Sequence, residues 1–458
     1  MALNSTLVKS TVVAALGGLL FGFDTAVISG TTSNLSQVYS LPSWLFPLVR
    51  LLHTPDKSLL LGITVSSALI GTIIGAMFAG IPGDKWGRRD SLRLLAVVYV
   101  VSALGCALAP NWYALVCFRF IGGLGIGGSS VLGPMYIAEI APAQWRGRLV
   151  GVFQFNVVAG ILIAYLSNFI VGSQHLGIDA EWRWKLGVAA APAFLFLGLL
   201  FTIPRSPRWL VKKQRVAEAR AVLQQIGEEN YEHELQEIVA SIDAEHGLEN
   251  EPLFLPKYKL PIFLAISIGM FNQLSGINAI LYYLNDIFAS AGFSKMSGDL
   301  QAVTVGFTNL IFTVIAMSVI DRFGRKKMLL VGAVGTAICL AGVAAIFFTN
   351  RHQELLVWLL VGFIASFAFS QGSVIWVYLS EVFPNRVRAK GQSLGSLSHW
   401  LMNAIISFAF PTLAAWSRPI PFVFFSAMMA VQFVVVLLVY PETKGVSLED
   451  MEKKLATV

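Results

Sequence analysis

Apolar residues in this chain fall in long unbroken runs, with neither the alternation of a strand nor the stripe of a surface helix. Runs of about 20 residues, enough to cross a hydrocarbon layer as one helix, occupy 8–28, 59–81, 92–110, 113–138, 148–172, 185–203, 259–290, 300–320, 327–349, 354–381, 389–414 and 419–440. The pattern predicts an all-α integral membrane protein with twelve transmembrane helices. Most polar segments between the runs are short, and the longest is 204–256. Within it, 215–225 and 231–246 combine mixed charge with helical spacing, which predicts short amphipathic helices lying on one membrane face. The stretch 29–58, with Pro42, Trp44 and Pro47, reads as a partly ordered loop without assignable chemistry.

Composition narrows the class. At 56% hydrophobic and 13% charged residues, the chain is too apolar for a soluble domain. The net charge of +7 does not point to nucleic acid, because the cations gather in alternate connections. Lys9, 85–93, the surroundings of Arg146, 205–259, 322–327, the surroundings of Arg388 and the C-terminal segment hold most of them. Arg50, Lys57, Arg183, Lys185, Lys295, Arg351 and Arg418 fall on the other side. The positive-inside bias places both termini in the cytoplasm. Cys106, Cys117 and Cys339 lack the spacing of a disulfide framework or a metal site, and His233 and His246 have no ligand partners at metal spacing. The first run follows Met1 without a small-residue cleavage site, so it reads as an uncleaved span.

Two charged signatures repeat. Gly80-Ile81-Pro82-Gly83-Asp84-Lys85-Trp86-Gly87-Arg88-Arg89, read as a short tight loop, returns as Asp321-Arg322-Phe323-Gly324-Arg325-Lys326. The segment Glu139 to Gly147 returns as Glu381 to Ala389. Both echoes lie about 240 residues downstream, the mark of an internal duplication. The chain therefore divides into a six-helix half at 1–203, a cytoplasmic linker at 204–256, a second six-helix half at 257–440 and a short tail at 441–458. Such parallel halves place a substrate site between them near the bilayer midplane. Arg88, Glu139 and Arg146 in one half, with Arg325, Glu381 and Arg388 in the other, form a candidate cytoplasmic gate that pairs when the inner side is closed.

Charge inside the spans is scarce. Asp24, beside Phe21 and Phe23, lies in the first run, and Arg119 lies in the fourth. An ionisable group at that depth costs about 2.5 to 3.5 kcal/mol on insertion scales, so it faces a cavity and takes a partner or a proton. If the two meet, the arginine favours the ionised carboxylate, and protonation releases the pair. Gly122, Gly123, Gly125, Gly127 and Gly128 follow Arg119 and permit close helix approach. Side-chain amides and aromatic rings also fall within apolar runs: Gln154 in the fifth; Asn272, Gln273, Asn278 and Tyr282 in the seventh; Asn309 in the eighth; Trp376 in the tenth; His399, Trp400 and Asn403 in the eleventh.

The set of motifs resembles the major facilitator superfamily and, within it, the sugar porter family, over essentially the whole chain. The Gly80 to Arg89 segment is similar to the superfamily loop, and the Glu139/Arg146 and Glu381/Arg388 pairs to the family's paired cytoplasmic signatures. Pro441-Glu442-Thr443-Lys444-Gly445 resembles the terminal sugar porter motif, and Gln273-Leu274-Ser275-Gly276-Ile277-Asn278 its seventh-span sugar motif. The chain departs from the family at Arg205, where Glu is usual and forms a cytoplasmic ion pair, at Asn272 in place of a first Gln, and at His399 in place of Asn or Gln. The resemblance implies that Gln154, Gln273, Asn278, Asn309 and Trp376 contact sugar. An acid at the Asp24 position resembles the proton-coupled members. Amides that donate and accept at once, flanked by aromatic planes, suit the hydroxyls and faces of a monosaccharide. The reading is thus proton-coupled symport of a hexose or pentose by a monomer in the cell (plasma or inner) membrane, with no cofactor, no metal and no enzymatic constellation. A facilitator moving sugar only downhill and a non-transporting sugar sensor remain as alternatives, the short tail standing against the second.

Overall fold

The computed structural model describes residues 4–142, 145–227, 230–247, 251–384 and 386–445. The side chains of Gln144, His246 and Asn385, together with most of the expected tail, lie outside the described residues. Among the described residues, twelve helices are long and apolar enough to cross a membrane. They run Ser5–Gly30, Asp56–Phe78, Arg88–Ala107, Trp112–Ile140, Arg146–Gly172, Ile178–Thr202, Pro256–Tyr282, Lys295–Phe323, Arg325–Thr349, Gln353–Glu381, Arg388–Trp416 and Ile420–Val439, and are called here the first to the twelfth span. Helices suit this setting because they satisfy most backbone polar groups within the segment, the requirement that hydrocarbon imposes. Between the sixth and seventh spans lie helices Pro207–Lys212, Val216–Gln225 and Tyr231–Gly247. They bury Leu210, Ala219, Leu223, Leu235 and Ile238 against Leu7, Ile140 and Leu200.

The two repeated charged segments are not loops. Gly80–Trp86 is helical, and the chain turns into the third span on Gly87 alone, at φ +92°. The eighth span likewise reaches Phe323 and turns on Gly324 at φ +88°. A left-handed residue is cheap only for glycine, so the cluster of Gly and Pro that reads as a loop marks a single-residue elbow. Fixed partners hold each elbow. Trp209 packs on Gly87, while the Glu442 carboxylate accepts the backbone N–H groups of Arg325 and Lys326 at 2.9 and 3.1 Å. The latter arrangement places an anion at a helix N-terminus, where the dipole favours it.

The segment 29–58 folds into a 3-10 turn at Ile28–Gly30 and helices Thr32–Val38 and Phe46–Leu52. The sixth span begins at Ile178, not near 185, and pauses between Gly187 and Ala190. Lys185, placed by hydropathy among the flanking external cations, is therefore inside a helix and fully buried. The seventh span breaks at Gly276, φ +81°, between Lys259–Leu274 and Ile277–Tyr282, and the tenth at Ser370.

Packing resolves the chain into two compact units that do not follow chain order. One contains Met1–Asp24, Ile70–Ile161 and Leu186–Asn250; the other contains Thr25–Leu69, Leu162–Lys185 and Glu251–Val458. In the first unit the fourth span lies close to its neighbours, and a Cβ on Gly127 would run into the Thr72 carbonyl oxygen. The second unit gathers one end of the first, second, fifth and sixth spans onto the last six.

Candidate functional site

In the first unit, Arg119 Nη1 donates to Asp24 Oδ1 at 2.7 Å. The two partners differ in access. The Arg119 side chain is 3% exposed and that of Asp24 is 25% exposed. Arg119 Nε has no hydrogen-bond acceptor among the described residues, which leaves Asp24 as the group that balances a buried guanidinium. Beside it the Ser102 hydroxyl donates to the Phe118 carbonyl at 2.8 Å, and Tyr99 and Ser129 share a 2.8 Å bond. Phe21, one turn before Asp24, packs on the core of this unit, and Gln154 is half-buried in the fifth span.

The second unit brings the amides of the seventh span together with rings of the tenth and eleventh. Asn278 Nδ2 donates to Gln273 Oε1 at 3.1 Å, and Gln273 Nε2 donates to Asn272 Oδ1 at 3.1 Å. Asn272 Nδ2 donates in turn to the Gln371 carbonyl at 3.3 Å. The break at Gly276 allows this chain: Phe425 lies against the residue where a side chain would sit, and the left-handed turn bends Asn278 back toward Gln273. Gln273 Nε2 also lies 3.3 Å from the His399 ring nitrogens. That ring is 5.3 Å from the Trp376 ring and 5.1 Å from Trp400. Asn403 Nδ2 donates to the Tyr282 hydroxyl at 3.4 Å. Asn309 is buried in the eighth span. Asn272, Gln273, His399, Trp400 and Asn403 are all buried, whereas Trp376 is 39% exposed. A shielded row of donors and acceptors with one accessible aromatic plane is a surface that a ring of hydroxyls can engage.

The repeated charged signatures pair inside each unit. Arg88 Nε meets Glu139 Oε1 at 2.9 Å, and its Nη1 meets Asp84 at 2.8 Å. Glu139 also accepts from the Ser206 hydroxyl. In the second unit Arg325 donates to both Glu381 oxygens, at 3.1 and 2.8 Å, and Thr443 Oγ1 donates to Glu381 at 2.6 Å. Arg388 Nε donates to the Phe383 carbonyl at 3.2 Å, and Arg146 is exposed. Arg205, the departure from the family pattern, finds an acid elsewhere. Its Nε and Nη2 bond Asp90 Oδ2 at 3.2 and 3.1 Å, while Arg89 and Arg93 hold the other oxygen. Arg205 thus joins an ion cluster through Asp90, at the start of the third span.

Sequence reasoning placed Lys185 and Lys295 among the external cations and missed the acids that they meet. Lys185 and Glu181 in the sixth span, with Asp299 in the eighth, form a buried cluster in the second unit, which Lys295 reaches from its exposed side. The spacing of Glu181 and Lys185, four residues apart on a helix, was the available signal.

Comparison with known proteins decides the family. The model of the "Sugar (and other) transporter" family matches residues 10–455. The chain belongs to the sugar transporter family. The D-xylose-proton symporter of Escherichia coli K12 is 36% identical over 98% of this sugar transporter and 96% of its own length. The arabinose-proton symporter of Bacillus subtilis is 35% identical, over 96% and 93%. Among solved structures, a partially occluded inward-open conformation of the xylose transporter XylE from E. coli superposes with a TM-score of 0.85. It shares 35% identity and covers 97% of this chain and 100% of that one.

Proposed function

We propose that this transporter is a proton-coupled monosaccharide symporter working by alternating access. The observation that carries it is the Asp24–Arg119 contact, a carboxylate with solvent access that neutralises a guanidinium without any. Protonation of Asp24 cancels the attraction and frees the fourth span from the first, so proton uptake and a change in helix packing are one event. The amide row from Asn272 to Asn278, with His399, Trp376, Trp400, Asn403, Tyr282, Asn309, Gln154 and Phe21, is assigned to the sugar. Relatives named for xylose and arabinose with protons support a pentose or hexose.

In this reading residues 1–203 and 257–440 are the two halves, both termini face the cytoplasm, and the protein is a monomer without a cofactor. The pairs Arg88–Glu139 and Arg325–Glu381 stand on the cytoplasmic side as parts of an inner gate with Arg146 and Arg388. The test is uptake of labelled pentoses and hexoses into proteoliposomes with and without an inward proton gradient. Accumulation that follows the gradient, with alkalinisation of the medium on sugar addition, is the expected result. Uptake that only equilibrates, with no pH change, would mean a facilitator.

A further inference from the structure

We infer that Lys185, Glu181, Asp299 and Lys295 form an ionic latch that holds the outer side of the transporter closed. The inference rests on the alternating-access reading and on its orientation, and adds positioning residues which that reading does not contain. Lys185 Nζ lies 2.7 Å from Glu181 Oε1 and 3.9 Å from Asp299 Oδ2, and donates to the Gly30 carbonyl at 2.9 Å. Lys295 Nζ reaches Glu181 Oε2 at 2.6 Å. Asn285 donates to Asp299, and Ser29 Oγ donates to Asn285 Oδ1 at 3.3 Å. The side chains of Lys185, Glu181 and Asp299 are 0, 7 and 3% exposed; Lys295 forms the accessible rim.

The cluster joins the two sequence repeats inside one compact unit. Gly30, Glu181 and Lys185 belong to the first six spans, Lys295 and Asp299 to the eighth, and Asn285 to the helix Leu284–Ser290 between the seventh and the eighth. Neutral bonds line the same seam: Tyr165 hydroxyl to the Leu281 carbonyl at 2.9 Å, Thr54 to Thr412 at 3.0 Å and Trp416 Nε1 to the His53 carbonyl at 2.8 Å. Two cations face two carboxylates, so the closed cluster is electrically balanced. Opening leaves Glu181 with Lys185 on one helix and separates them from Asp299 and Lys295. Water must then replace the contacts across the seam. Removing one charge from the closed cluster leaves a buried surplus, which is strongly unfavourable, whereas an opened seam hydrates it. Charge imbalance therefore favours the outward-open form.

The experiment reads opening directly. Ile28 is fully buried beside this seam. An Ile28→Cys reporter, with Cys106→Ala, Cys117→Ala and Cys339→Ala, is labelled in right-side-out vesicles by a membrane-impermeant maleimide. Lys185→Met, which leaves two carboxylates for one lysine, is expected to speed labelling by about tenfold or more. Asp299→Asn, nearly isosteric, should act in the same direction and serves where Lys185→Met does not fold. Lys185→Met with Asp299→Asn restores balance and should bring the rate back to within about threefold of the parent. Labelling of both single variants at the parent rate, or a double variant as fast as Lys185→Met, would overturn the latch. Because the readout is accessibility, its failure leaves proton coupling and sugar binding intact, and their failure leaves the latch intact.

Discussion

Replacing Asp24 by Asn separates the charge of the pair from its geometry. The amide oxygen can still accept from Arg119 Nη1, now 2.7 Å from Asp24 Oδ1, so the first and fourth spans keep one bond. What is lost is the charge-assisted part, about 1 to 2 kcal/mol relative to a neutral hydrogen bond. The full cost of an orphaned buried ion, about 3 to 5 kcal/mol, is not expected, because the amide oxygen keeps the bond to Arg119 and the side chain at position 24 is itself 25% exposed. The protein should fold, with a modest loss of thermal stability. The coupling should vanish, since no proton can be taken up or released at an amide. With one proton per sugar, an inward gradient of one pH unit supports about tenfold accumulation, each tenfold corresponding to about 1.4 kcal/mol. The variant in proteoliposomes should reach a sugar ratio of about one while entrance counterflow with unlabelled sugar inside continues. Accumulation by Asp24→Asn above the equilibrium ratio would refute the assignment, whatever its rate.

Other consequences are checked as simply. Gln273→Ala removes the centre of the amide row and leaves Asn278 and Asn272 without its bonds; sugar binding by titration calorimetry should weaken by about 1 to 3 kcal/mol, or about 5- to 150-fold. Glu381→Gln loses the double contact to Arg325, whose side chain is 9% exposed, so thermal unfolding should show about 1 to 3 kcal/mol of destabilisation. In the gate reading, cysteine labelling from the cytoplasmic side should also rise. Gly324→Ala meets both a left-handed backbone and the Glu442 carboxylate; it should cost about 1 to 2 kcal/mol or more and lower the yield of folded protein. Arg205→Ala should cost under about 1 kcal/mol, because Arg89 and Arg93 still hold Asp90 and the site is partly solvated.

Much of the architecture is legible in the chain because a bilayer permits few solutions. Runs such as 419–440 need no tertiary knowledge to be read as spans, and the recurrence of Asp84 and Glu139 as Asp321 and Glu381 exposes the duplication. Errors arise where tertiary contacts override local signals. Hydropathy places Lys185 at a membrane edge, since a lysine ends an apolar window. The helix starts a full turn and more earlier, and Glu181, Asp299 and the Gly30 carbonyl make burial of the ammonium tolerable. Gly80 to Gly87 carries the composition of a turn, yet only Gly87 adopts a left-handed conformation. The amide row was recognisable as a list of residues in spans. Its connectivity was not, because the bond from Asn278 to Gln273 depends on the angle imposed at Gly276 and on Phe425 packing there.

The grip of Glu442 on the start of the ninth span has a practical corollary for anyone preparing this protein. Its carboxylate accepts from Arg325, Lys326, Thr443 and Lys444, so residues 442–444 act as a fastener for a helix more than a hundred positions upstream. An affinity tag or fluorescent fusion joined after Gly445 leaves that clasp in place. One joined at Tyr440 would cut it and loosen the elbow at Gly324.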